Sequence, residues 1–351
     1  MVAEVPALIE ADLRDRALLF DAAALAATTR GISEEVSGAG PLQALLEQPG
    51  VTDVLVNGPN DVWVEQLGTL RRTPIRFSDE SAVRRLAVRM AVAAGQRLDD
   101  ASPWVDAALA DGTRLHAVIP PLVPATTISL RVLRRLAQLN IDAPAEVVEV
   151  LRTAVATGLG TLIVGPTGAG KTTLLASLLA GVPADQRIVV VEDTAELAID
   201  HPHVVGLVTR AANVEGVGGV DLSVLIRQAL RMRPDCLVVG EFRGAETGLL
   251  LGALTSGHRG AATMHAWQLS AVPARLHALG AMSRLSKGAL ASMVPVAFEL
   301  VVVVARGPEG RWVAEVGTLS STDERLSAEL VWSRRAGFMS GWESLQNRLR
   351  P

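Results

Sequence analysis

Thr161-Leu162-Ile163-Val164 runs into Gly165-Pro166-Thr167-Gly168-Ala169-Gly170-Lys171-Thr172-Thr173 and on into Leu174-Leu175-Ala176-Ser177-Leu178-Leu179. The first four residues predict a buried strand and the last six an amphipathic helix. Between them stands G-x4-G-K-[ST], the phosphate-loop pattern in the strand-to-helix setting it needs. Glycines let successive backbone N–H groups turn inward around phosphate oxygens, and the helix N-terminus adds a favourable dipole. Lys171 then reaches the terminal phosphates, and the Thr172 hydroxyl is placed to ligate Mg2+. A strand that ends in such a loop implies an α/β domain with its ligand at the strand C-termini.

The composition allows that domain a companion. At 351 residues and 49% hydrophobic content, the chain has material for two cores. The net charge of −4 gives no electrostatic footprint for wrapping a nucleic-acid duplex. Cys236 is the single cysteine, which excludes an internal disulfide and a cysteine-based zinc site. Met1 to Asp15 has no basic leader, and the apolar run Val294 to Val304 is interrupted by Glu299, so neither a signal peptide nor a membrane span is expected.

Around the loop, the period of the apolar residues divides the chain into three segments. Residues 1–48 read as short helices, with Leu18, Leu19 and Leu25 before Gly38-Ala39-Gly40-Pro41 and Leu42, Leu45 and Leu46 after it. Residues 49–140 read as a small α+β domain and linker. Val51–Val56 and Val62–Glu65 flank a turn, Ser78 caps a helix that Gly95 stops, and Asp111-Gly112 centres a hairpin. Thr127–Arg131 is one more strand, and residues 139–145 form the hinge. Residues 141–351 alternate strands with helices, which predicts a mainly parallel sheet covered on both faces. A hairpin about Gly307-Pro308-Glu309-Gly310 closes that domain, and the tail beyond Leu319 carries no readable motif.

Acids end two of the expected strands. Val189-Val190-Val191-Glu192-Asp193-Thr194-Ala195-Glu196 places three carboxylates beside the phosphate loop if its strand neighbours the loop strand. Glu192 is the candidate for orienting or deprotonating the attacking water, because phosphoryl transfer chiefly requires positioning and charge stabilisation. Cys236-Leu237-Val238-Val239-Gly240-Glu241 has the apolar strand of a Walker B element, with Glu241 placed to hold Mg2+. Spacing leaves the roles of Glu192 and Glu241 exchangeable.

His258 and His265 flank the strand Ala261–Met264, too far apart to share one metal, and phosphate sensing suits His265 better. His201 and His203 form an H-x-H pair with no third ligand nearby. Arg227 and Arg231 share a helical face by i,i+4 spacing. With Arg210, Arg114 and Arg131 they are candidates for polyphosphate contacts, including contacts across a subunit boundary.

Taken together, Gly-Pro-Thr-Gly-Ala-Gly-Lys-Thr-Thr, Val-Glu-Asp-Thr-Ala-Glu-Leu, Leu-Arg-Met-Arg-Pro-Asp, Val-Val-Gly-Glu-Phe-Arg-Gly, Ser-Gly-His and Thr-Met-His-Ala resemble the type II/IV secretion-system ATPase superfamily. Within it the pattern resembles the Tad/CpaF branch, which drives Flp-type pilus assembly. The likeness extends to Val51–Gly58 and to Asp111-Gly112-Thr113-Arg114 through Thr127–Arg131, so it covers roughly residues 40 to 305. It implies a RecA-like motor domain behind a PAS-like N-terminal domain, in a cytoplasmic homo-hexamer at the inner face of the cell membrane. ATP and Mg2+ would be held by Gly165 to Thr173, and the hexamer would act on an inner-membrane platform protein and associate with the membrane through partners. It further implies an acidic box of Glu192, Asp193 and Glu196, Glu241 as the Walker B acid, His258 and His265 as the histidine box, and Arg114 and Arg131 as nucleotide-approaching arginines. Ser256 and Trp267 depart from the family pattern. Two alternatives stand beside it: a conjugation-type nucleic-acid motor, which uses the same engine and is disfavoured by the charge, and a protein of a different class, a non-hydrolysing nucleotide switch or assembly scaffold, which is disfavoured by the intact carboxylates.

Overall fold

The computed structural model describes residues 38–132, 141–210, 212, 217–307 and 310–349. The helices expected around Leu18, Leu19 and Leu25, residues 133–140 ahead of the second domain and the tip of the final hairpin lie outside the described residues. The chain divides into two compact units, residues 1–134 and 135–351.

The first unit opens with a single tight turn, Gly40–Leu42, and a short helix α1 (Gln43–Leu46). It continues with strands β1 (Val51–Val56), β2 (Val62–Gln66) and β3 (Thr69–Arg72), helix α2 (Glu80–Ala93), and strands β4 (Trp104–Ala108), β5 (Arg114–Val118) and β6 (Thr127–Arg131). The six strands form one antiparallel sheet in the order β3-β2-β1-β6-β5-β4. Leu67 and Gly68, both left-handed at φ 50° and 86°, join β2 to β3 in the two-residue turn that matches strand twist. Helix α2 starts one residue later than expected: Asp79, not Ser78, caps it by accepting the Ala82 amide at 2.8 Å. Its apolar stripe, Val83, Leu86, Ala87 and Met90, packs with Leu42, Leu45 and Leu46 and the inward residues of β1, β2, β5 and β6 into one core.

The second unit has α3 (Ala145–Ala156), β7 (Thr161–Val164), α4 (Lys171–Leu179), β8 (Ile188–Glu192), β9 (Val204–Val208), α5 (Leu222–Ala229), β10 (Cys236–Val239) and α6 (Thr247–Thr255). After these come β11 (Arg259–Met264), α7 (Val272–Met282), α8 (Lys287–Ala297), β12 (Leu300–Gly307), β13 (Gly310–Thr322), β14 (Arg325–Ser333), β15 (Gly337–Phe338) and α9 (Gly341–Leu349). Their sheet runs β15-β14-β13-β12-β7-β11-β10-β8-β9. It is parallel from β12 through β9 and antiparallel from β12 through β15. This is the expected α/β, RecA-like architecture. The tail that carried no motif in the sequence supplies two sheet strands and a helix.

Both faces of the central strands β7, β11, β10 and β8 are buried, and the alternation within each strand decides which side chain goes where. Leu162, Val164, Val189, Val191, Leu237 and Val239 face α5, α6, α7 and α8. Ile163, Ile188, Val190, Val238 and Val302 face α3, α4 and α9, whose Trp342, Leu345 and Leu349 close that side. Each fully buried aliphatic side chain contributes ~1.5–3 kcal/mol, so sandwiching the sheet fixes the positions of the strand ends. Among the described residues no helix is long and apolar enough to cross a membrane.

Strand packing is close at Gly260 in β11, where a Cβ would stand 2.3 Å from the Leu237 carbonyl oxygen of β10 and 2.6 Å from Leu254 Cδ2. Gly260→Ala is therefore expected to lower unfolding free energy by ~1–3 kcal/mol in denaturant titrations. An unchanged midpoint would contradict the close β10–β11 approach.

Candidate functional site

The fully buried β7 delivers the chain to Gly165 between β11 and β12, at the C-terminal edge of the parallel strands. Gly168 and Gly170 take left-handed φ values of 72° and 98°, which a side chain would strain, and Lys171 then starts α4. Gly165 passes so close to β12 that a Cβ there would meet the Val304 carbonyl oxygen at 2.4 Å. The loop is thus pinned by its neighbours as well as by its own turn.

Lys171 is 6% exposed. Its Nζ donates to the carbonyls of Gly165 at 3.1 Å and Pro166 at 3.2 Å, and lies 3.1 Å from His265 Nδ1. His265 Nε2 in turn lies 3.1 Å from Glu241 Oε1. A neutral imidazole with Nδ1 accepting from Lys171 and Nε2–H donating to the carboxylate links the three side chains, and the same Nδ1 lies 3.2 Å from the Gly165 carbonyl oxygen, which the Lys171 ammonium satisfies. Register places these groups together. Met264 of β11 pairs with Val164, so His265 follows beside Gly165, and β10 lies on the far side of β11 with Glu241 two residues past its end. Burial lowers the Lys171 pKa, and the charges of Glu241 and Glu196 oppose that shift.

Glu192 has a different place from the one expected. Its strand, β8, does not neighbour β7; β11 and β10 intervene. The carboxylate is 6% exposed, and Oε1 accepts the amides of Glu196 at 3.2 Å and Leu197 at 2.9 Å. It packs where Gly240 lacks a side chain, since a Cβ there would meet Glu192 Cγ at 2.7 Å. Burial, only partly offset by those two amides, pushes its pKa up to about 7. Glu192 therefore shapes the turn that carries Glu196 across to the loop, where Glu196 Oε2 lies 3.5 Å from the Thr172 hydroxyl. Asp193 pairs with Arg243 at 2.8 Å. Glu246, which sequence reasoning did not single out, is buried and accepts the Arg243 and Gly244 amides at 2.6 and 2.7 Å.

The remaining candidates are dispersed. Arg210 follows β9, four strands from β7, and its Nε donates to the Gly218 carbonyl at 2.8 Å. Helix α5 ends at Ala229 and tightens into a turn over Leu230–Met232, so the Arg227–Arg231 face is not continuous α-helix, and both side chains are exposed. Arg231 and His258 precede the starts of β10 and β11, at the sheet edge opposite the phosphate loop. A strand of six residues at ~3.3 Å each separates His258 from His265. Arg210, Arg231 and His258 therefore lie away from the phosphate loop of their own chain, which leaves the arginines the contacts across a subunit boundary that the sequence also allowed. In the first unit Arg114 and Arg131 form a cross-strand pair; Arg114 binds Asp106 with two hydrogen bonds and Arg131 binds Asp53 at 2.9 Å. His201 is occupied locally, its ring nitrogens 3.1 Å from the His203 amide and 3.1 Å from the Pro183 carbonyl.

A family model described as "Type II/IV secretion system protein" matches residues 35–307. The chain belongs to that family. It is 49% identical over 92% of its length to a putative conjugal transfer protein of Mycobacterium tuberculosis, covering 96% of that protein. It is 30% identical to protein VirB11 of Agrobacterium fabrum over 64% of this chain and 75% of that one. Among solved structures, the pilus retraction motor PilT with bound ADP superposes with a TM-score of 0.54 at 19% identity over 86% of this chain and 83% of that chain. The Yersinia pseudotuberculosis ATPase DotB gives 0.55 at 17% over 81% and 78%. At that identity the two structures support the shared fold alone.

The raised pKa of Glu192 has a direct consequence for stability. The folded chain keeps this proton up to about pH 7, while the unfolded chain releases it near 4.5, so stability falls as pH rises through that window. Relative to Glu192→Gln, the wild type should lose roughly 3 kcal/mol between pH 4.5 and 7.5 in denaturant titrations. A difference between the two that does not vary with pH would contradict the burial of this carboxyl.

Proposed function

We propose that this protein is an ATP-hydrolysing motor subunit of a type II/IV secretion-type machine. The observation that supports this best is the continuous line from Lys171 through His265 to Glu241 beside a complete phosphate loop. The inward amides of Gly165 to Thr173 and the Lys171 ammonium bind and orient the triphosphate, and the α4 N-terminus favours its charge. Glu241, with one oxygen held by His265, orients the attacking water and takes its proton. Lys171 moves from its carbonyl and imidazole partners to the terminal phosphates, so His265 senses whether that lysine is engaged. Glu192 keeps the acidic turn in place, and the base role falls to Glu241 because Glu241 reaches the Lys171–His265 line beside the loop, whereas Glu192 ends β8, with two strands between it and β7.

Among the described residues, no group of three or more His, Cys, Asp and Glu side chains could hold a metal by itself. The Thr172 hydroxyl and the Glu196 carboxylate instead offer hard oxygen donors, with Glu241 reaching the ion through water, which suits Mg2+, an ion that takes most of its ligands from phosphates and water. When bound, Mg2+ neutralises charge on the phosphate oxygens.

In this reading the subunits form a homo-hexameric ring at the inner face of the cell membrane, and the work is delivered to a membrane platform protein. The sequence pattern favours Tad/Flp-type pilus assembly. The 49% identical relative, named as a putative conjugal transfer protein, favours nucleic-acid transfer as the second reading. Stimulation of ATPase activity by DNA would select the second.

Lys171→Ala is expected to abolish ATP turnover while leaving the circular dichroism spectrum unchanged. Glu241→Gln should lower kcat by ~10²–10⁴ with ATP affinity retained. Undiminished turnover in Lys171→Ala would remove the assignment. Stoichiometric ATP binding without multiple turnovers in the wild type would make the protein a nucleotide-switched scaffold instead.

A further inference from the structure

The final hairpin of the parallel sheet reaches the phosphate loop. Strand β12 is parallel to β7 with Val303 opposite Val164, so the residues just past Val303 run alongside the loop. Arg306 on β12 and Arg311 on β13 are a direct cross-strand pair. Arg311 Nε donates to the Gly168 carbonyl at 2.9 Å. Its Cδ lies 3.1 Å from where a Cβ on Gly170 would stand, and Arg306 Nη1 lies 2.8 Å from the equivalent point on Gly168. Both arginines therefore pack on the outer side of the loop, in space left by its two left-handed glycines.

Arg311 is itself held. Its carbonyl accepts the Asp142 amide at 2.9 Å, and the Val313 amide donates to the Asp142 carbonyl at 3.0 Å. The Asp142 carboxylate pairs with Arg334 at 2.7 Å, and that guanidinium lies over the Trp312 ring at 5.6 Å. The arm that grips Gly168 is thus fixed to a strand, whereas the loop has no ladder of its own.

We propose that Arg311 is a positioning residue of the phosphate loop, turning the Gly168 carbonyl outward so that the next amide faces the phosphates. A trans peptide sets the Gly168 C=O and the Ala169 N–H in opposite directions. With the carbonyl held by Arg311, the Ala169 N–H points across the loop, where the Pro166 carbonyl accepts it at 3.3 Å, a long bond that a phosphate oxygen replaces. Two guanidiniums on adjacent strands repel one another. Their juxtaposition is favourable beside a carbonyl dipole and a polyanion, and Arg306 is the supporting charge.

This inference rests on the phosphate loop binding a triphosphate, and its test separates the two claims. Affinities for ATP and for inorganic triphosphate would be measured calorimetrically for the full chain, in the presence of Mg2+, for wild type, Lys171→Ala, Arg311→Met and Arg311→Lys. Arg311→Met keeps the stem that packs on Gly170 and removes the donor; melting temperatures without ligand verify its fold, with Arg311→Gln as the replacement if it does not fold. Loss of one charge-assisted hydrogen bond predicts about tenfold weaker binding of both ligands in Arg311→Met, with Arg311→Lys recovering most of it. Wild-type affinity in Arg311→Met, or a loss confined to ATP, overturns the positioning role. Failure of the wild type to bind either ligand overturns the phosphate-loop reading itself.

Discussion

A lysine ammonium buried at the centre of a sheet edge must be satisfied where it stands. Lys171 is satisfied by two loop carbonyls and by His265, which relays the contact to Glu241. Leaving such a charge unpaired costs several kcal/mol, so three chain segments are tied to one geometry. Those segments come from β7, β11 and β10, which are neighbours in the sheet although β7 is remote from the other two in the chain. Burying both faces of that sheet is what holds the strand ends, and hence the lysine's partners, in register.

The supports around this line come from the flanks. On one side, Glu192 anchors the turn that brings Glu196 to Thr172, at the expense of keeping a carboxyl out of water. On the other, β12 and β13 bring Arg311 to the Gly168 carbonyl. Glycines mark each close approach: Gly240 makes room for Glu192, Gly165 for the β12 backbone, and Gly168 and Gly170 for the arginines. The phosphate loop is therefore shaped from both sides by residues far from it in sequence.

What was legible in the sequence follows from the range of each interaction. The loop, its strand and helix, Glu241 and the small antiparallel hairpins are local patterns, in which spacing and turn residues carry the information. Strand order is not local. Whether the acids at the end of β8 stand beside the loop was left to strand order, and two strands separate β8 from β7, so that only Glu196 reaches Thr172; order in a parallel sheet depends on crossovers that periodicity does not encode. The same limit applies to His258, which shares the histidine box with His265 yet precedes the opposite end of β11. Arg311 carried no signal, since its partner is a backbone carbonyl 143 residues away. The strands of the tail were missed because β14 is half polar, with one face toward solvent, and no turn pattern announces it.

The central claim is that Lys171 exchanges His265 and its loop carbonyls for the terminal phosphates of ATP. A crystal structure of the protein with a non-hydrolysable ATP analogue and Mg2+ tests it most directly. The account predicts Lys171 Nζ within hydrogen-bonding distance of the terminal phosphates, the Ala169 amide turned to phosphate oxygen, and Glu241 facing the attacking water. Density for the analogue away from Gly165 to Thr173, with Lys171 still bound to His265, would contradict it.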